Sequence, residues 1–134
     1  MIDAVSLVSV IETGRRFDPD HQLVAPGSVR SQALELMLGR VCDGSLVEGE
    51  ALRIHERLTE TKLRLLNDRV SRRAAWDLAR AKGWRTLADA EYLSLVRLQA
   101  DALVTIDERL ASLAAGLVEV CPLRDALTED APAP

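Results

Sequence analysis

Aromatic residues are scarce in this chain, at 3 % of the composition. That scarcity argues against a base-stacking platform, which needs exposed rings. Nor is there an excess of cations. The formal net charge is −4, so broad electrostatic capture of nucleic acid is not expected. A nucleic-acid enzyme stays open, because a bound metal reverses the local charge of an acidic site. Cysteine is limited to Cys42 and Cys121, with no Cys-x-x-Cys spacing. Neither a zinc site nor a disulfide framework is implied, and two small core thiols are the expectation. No apolar run approaches the ~20 residues of a membrane span, and no signal-peptide pattern is seen. These absences point to a cytoplasmic protein without membrane contact.

What is present suits one domain. The chain has 134 residues, 48 % of them hydrophobic, enough for a core built mainly from Leu, Val and Ala. We expect residues 1–127 to form that domain and residues 128–134, ending Ala-Pro-Ala-Pro, to be a disordered tail.

The pattern along the chain alternates short apolar runs with helical periodicity. Met1 to Ala4 reads as a very short strand. Val5 to Ile11 reads as a helix stopped at Gly14. Arg15 to Pro26 reads as a loop, with Leu23-Val24 extended within it. Leu34, Met37, Leu38 and Val41 recur at helical spacing and predict one buried stripe. Val47, Ala51, Ile54 and Leu58 predict another. Lys62 to Leu66 reads as a strand, and Asn67 or Asp68 as the cap of a helix burying Val70, Ala74, Leu78 and Ala81. Thr86 opens the next helix. Ala102 to Thr105 is a short apolar strand, Asp107 to Ala114 a helical turn, and Leu117 to Cys121 a last strand. Such alternation predicts an α/β fold with a parallel sheet, whose sites form at the carboxyl ends of the strands.

Three carboxylates stand at the ends of separate elements: Asp3, Asp89 and Asp107. Together they offer the oxygen ligands that Mg²⁺ or Mn²⁺ requires. Each has a plainer reading. Thr86-x-x-Asp89 fits a variant of the capping box, Asp107 can cap the helix after it, and Asp3 can be a solvated charge. Thr105 either hydrogen-bonds near a metal or is a strand-end hydroxyl without special role.

Order and spacing add a resemblance. Asp3-Ala4, then Ala25-Pro26 before a helix, then Asp89-Ala90-Glu91-Tyr92-Leu93-Ser94-Leu95, then Leu103-Val104-Thr105-Ile106-Asp107 together resemble the PIN-domain nucleases, and among them the VapC-type toxins of toxin–antitoxin pairs. The resemblance spans nearly the whole chain. It implies a small parallel sheet of about four short strands with helices on both faces. It also implies a metal-dependent endoribonuclease using Mg²⁺ or Mn²⁺, an RNA substrate, a small antitoxin protein as partner, and a homodimer. Of the four acids in the family pattern, Asp3, Asp89 and Asp107 match the first, third and fourth. The second, normally Glu, falls on Gln32, which is uncharged and offers only a carbonyl oxygen. Glu35 lies on roughly the same helix face but about 4.5 Å further along the axis, and is the poorer ligand candidate.

Two further departures accompany Gln32. The small polar residue usual two positions after the first acid is replaced by Val5, with Ser6 one step later. The interval from Asp3 to Pro26 is also short. These features keep a second reading open, a PIN-like module that binds a protein or RNA without cutting. Arg72, Arg73 and Arg85, in a basic stretch along one helix and its exit, are candidate contacts to an RNA backbone. A solvated helix face is the plainer reading.

Overall fold

In the computed structural model, residues 1–129 are described. Six α-helices and four short strands follow one another as α1 (Ala4–Glu12), β1 (Val24–Pro26), α2 (Val29–Cys42), α3 (Glu48–Glu60), β2 (Arg64–Leu66), α4 (Arg69–Lys82), α5 (Ala88–Gln99), β3 (Leu103–Val104), α6 (Glu108–Ala114) and β4 (Val120–Cys121). The α/β class expected from the sequence is observed. A single sheet of four strands is not.

Instead there are two parallel pairs. β1 lies beside β2, with Ala25 opposite Leu65, and β3 lies beside β4, with Leu103 opposite Val120. The extended segment Met1–Asp3 stitches them together. Ile2 N–H donates to the Val24 carbonyl at 3.0 Å, and Val104 N–H donates to the Met1 carbonyl at 2.9 Å. Ile2 and Val104 form an isolated parallel bridge. The opening residues therefore act as a one-bridge connector rather than a full strand.

Successive residues of an extended chain point to opposite faces, and the core follows that rule. Met1, Val24 and Leu103 join one cluster with residues of α4, α5 and α6. Ile2 and Ala25, with Val104 packed alongside, join a second cluster with residues of α1, α2 and α3. Helices thus cover both faces, and short apolar strands are what a doubly covered parallel arrangement requires.

Several buried faces differ from the expected stripes. α2 buries Val29, Ala33 and Met37, leaving Leu34 39 % and Leu38 63 % exposed. α4 buries Ser71, Ala75, Leu78 and Ala79, whereas Val70 and Trp76 are exposed. Ala33 in α2 and Ser71 and Ala75 in α4 are buried, while the larger neighbours Leu34, Val70 and Trp76 are exposed. Cys42 is exposed rather than a core residue, and Cys121 is half-buried.

Helix ends behave as their chemistry predicts where local partners suffice. Asp68 caps α4 by accepting from Ser71 N–H, and Gly83 ends it in the left-handed conformation at φ 71°, which costs glycine little. Thr128, placed in the expected tail, donates its N–H to the Arg16 carbonyl at 3.0 Å. Most of that tail lies outside the described residues. Among the described residues no helix is long and apolar enough to cross a membrane.

Candidate functional site

The parallel chain direction carries Met1–Asp3, β1 and β3 toward one end of the molecule. There each hands over to a helix, and α5 begins beside them. The first turns of α1, α2, α5 and α6 meet around a cavity of about 310 Å³. Asp3, Gln32, Glu35, Asp89 and Asp107 line it, so five of the residues singled out from sequence are gathered in one place. Helix N-termini carry partial positive charge, which lowers the cost of crowding carboxylates there. Thr105 is buried just behind, at 8 % exposure. Arg72, Arg73 and Arg85 do not line the cavity. Arg73 instead pairs with Asp77 on its own helix.

Asp3 is the most deeply set acid, 2 % exposed. It stands at the N-cap of α1 but its side chain caps nothing. Its buried Oδ1 has no hydrogen-bond partner. Burial pushes its carboxyl up from the usual range, the Asp107 charge adds to that, and the Ser6 and Thr105 hydroxyls partly offset it. Retaining an unpartnered buried carboxylate oxygen is costly, and this is where the structure departs from simple stability.

Asp89 is not a capping residue. α5 starts at Ala88, its N-cap is Leu87, and no side chain caps it. The capping-box reading of Thr86 and Asp89 is therefore not realised. Both Asp89 oxygens accept from the Arg109 guanidinium, at 2.7 and 3.0 Å. Asp107 does two things. Its Oδ1 caps α6, accepting from the N–H groups of Arg109 and Leu110 at 2.9 and 3.3 Å. Its Oδ2 lies 3.6 Å from the Arg109 guanidinium. The cap reading of Asp107 holds, and it does not remove the residue from the cavity.

Gln32 is held by a relay. Tyr92 accepts from Ala4 N–H at 3.1 Å and donates to Gln32 Oε1 at 2.8 Å. Gln32 Nε2 in turn donates to Ser28 Oγ at 2.9 Å. With the phenol oxygen already accepting, its hydrogen needs an acceptor, which sets the amide orientation. The Tyr92 hydroxyl is pushed far above its ordinary range by burial, with the Asp3, Glu91 and Asp89 charges adding to it. It is a neutral hydrogen-bond group. Glu35 reaches the cavity from an exposed position.

The loop carrying Asp107 is braced from behind. Ser6 Oγ accepts from Ile106 N–H at 2.9 Å, and Thr105 Oγ1 accepts from Asp107 N–H at 3.0 Å. Ser6, fully buried, thus ties the start of α1 to the end of β3, although Val5 holds the position where a small polar residue was expected. Sequence reasoning missed Arg109 altogether. Its position two residues beyond Asp107 was the available signal, but its partner Asp89 is 20 residues away.

The donor set fits a hard divalent cation in chemistry, since it is all oxygen and Asp3 Oδ1 is free of partners. As they stand, no three acidic, histidine or cysteine side chains among the described residues are grouped to hold one ion. Arg109 engages both oxygens of Asp89. The sequence matches no protein-family model and no curated protein.

Proposed function

We propose that the cavity is the active site of a metal-dependent phosphodiesterase acting on RNA, of the PIN and VapC kind. One observation carries the reading. Three carboxylates from three elements, Asp3, Asp89 and Asp107, face one cavity at the carboxyl ends of parallel strands, and the deepest is buried with an unpartnered oxygen. Asp3, Asp89 and Asp107 would hold Mg²⁺ or Mn²⁺. When bound, such an ion supplies an activated water and stabilises charge on the phosphate. The chain's own residues prepare the site. Ser6 and Thr105 fix the Asp107 loop, and Tyr92 fixes Gln32 beside Asp3. On this reading a small antitoxin protein would cover the cavity, and the protein would act as a homodimer.

A second reading has its own support. Gln32 Oε1 is engaged by Tyr92 and Arg109 balances two of the acids, an arrangement suited to a PIN-like module that binds without cutting. Incubating the protein with a labelled single-stranded RNA and MnCl₂ decides between them. Cleavage that is lost with chelator and with Asp3→Asn supports the nuclease. Equal inactivity of the parent and Gln32→Glu proteins sinks it in favour of the binding module.

A further inference from the structure

The arginine at the mouth of the cavity plays no part in the nuclease reading above, yet it holds one of the site's acids with two hydrogen bonds. Arg109 grips Asp89 with two nitrogens, at 2.7 and 3.0 Å, and reaches Asp107 Oδ2 at 3.6 Å. Such a fork matches a carboxylate in both shape and charge. The acids are sheltered, with side chains 18 % and 22 % exposed, while the Arg109 side chain is 61 % exposed. The guanidinium can therefore swing into solvent by side-chain rotation, with no movement of α6. The acids cannot follow it.

We propose that Arg109 is the resident counter-cation of this acid cluster, and that a divalent ion must displace it to bind. The inference rests on the metal-site reading above, but makes a separate claim about it. Guanidinium and metal use the same Asp89 oxygens and so exclude one another. Arg109 pairs with Asp89 and Asp107 and not with Asp3, whose Oδ1 has no hydrogen-bond partner. Asp3 remains as the fixed acid on which an entering cation would first settle. Cation affinity is then set by the work of breaking the Arg109–Asp89 fork. A chain with a neutral residue at 109 would bind the ion more tightly and, without the ion, would leave its acids repelling one another.

Calorimetric titration of MnCl₂ into the parent, Arg109→Gln, Arg109→Lys and Asp3→Asn proteins tests this. Thermal melting alongside confirms that each is folded. The expected result is affinity raised roughly tenfold in Arg109→Gln, with Arg109→Lys between it and the parent. Lysine keeps the charge and loses the fork, so this variant separates occupation of the oxygens from charge at a distance. Arg109→Lys equal to the parent overturns the exclusion, leaving only net charge. Affinity unchanged or lowered in Arg109→Gln overturns it outright, while the metal site stands if Asp3→Asn abolishes binding. No Mn²⁺ binding by any folded variant at millimolar concentration overturns the metal site and this inference with it.

Discussion

Tyr92 donates to Gln32 Oε1 at 2.8 Å across 60 residues of sequence, and the same hydroxyl accepts from Ala4 N–H, next to Asp3. One phenol therefore ties the start of α1 to α2 through α5. Replacing it by phenylalanine leaves the buried Ala4 N–H unsatisfied. Tyr92→Phe is expected to lower unfolding free energy by about 1–3 kcal/mol, measured by urea denaturation. A change near zero would show that water replaces the hydroxyl and that the relay is not structural.

Gln32→Glu keeps the acceptor for Tyr92 and adds a fifth carboxylate to those lining the cavity. Mn²⁺ affinity should rise by roughly tenfold, or ~1.4 kcal/mol, and RNA cleavage should rise with it. Thermal stability without metal should fall, because a further acid joins an already acidic cavity. Unchanged Mn²⁺ affinity would leave Gln32 with hydrogen bonding as its only role.

Asp3→Asn should stabilise the metal-free protein at neutral pH. Burial raises the native carboxyl above its ordinary range, so the folded state holds its proton at pH values where the unfolded chain has lost it. The contribution of Asp3 to stability is then fully present below the unfolded value of about 3.9, and is lost as pH rises through the higher native value. Asparagine has no such slope, and no cap is lost because Asp3 caps nothing through its side chain. Melting curves across pH should show the two proteins converging in acid and separating toward neutrality. The opposite trend would mean that Asp3 is stabilised as a charge by groups in the cavity.

Asp107 serves two roles that substitution can separate. Asp107→Ala removes the α6 cap and should cost about 0.5–2 kcal/mol, whereas asparagine is as good a cap as aspartate. Both should abolish metal-dependent cleavage if the carboxylate is a ligand. An asparagine variant with parental cleavage would reduce Asp107 to its structural task.

Much of the site could be read in the sequence because local chemistry announces it. Asp3, Asp89 and Asp107 stand at strand ends or helix starts, and such positions follow from apolar runs and helical spacing within a few residues. The Asp68 cap, one of two candidates with Asn67, was legible for the same reason. The buried face of α2 was not. Leu34 and Met37 carry equivalent helical signals, and only the approach of α1 and α3 selects Met37. The single four-strand sheet failed too, since pairs of two or three residues make too few ladder bonds to define a sheet without their neighbours.

By itself, then, the sequence determined which segments are helical, that the apolar strands are short, and that Asp3 and Asp107 fall at strand ends. These are properties of periodicity and of residues adjacent in the chain. Tertiary structure alone decided that Arg109, not a helix terminus, satisfies Asp89, that Tyr92 engages the Gln32 carbonyl oxygen, and that Asp3 keeps an oxygen without a partner. Each depends on which side chains packing brings within about 3 Å of one another, and no spacing along the chain encodes that distance.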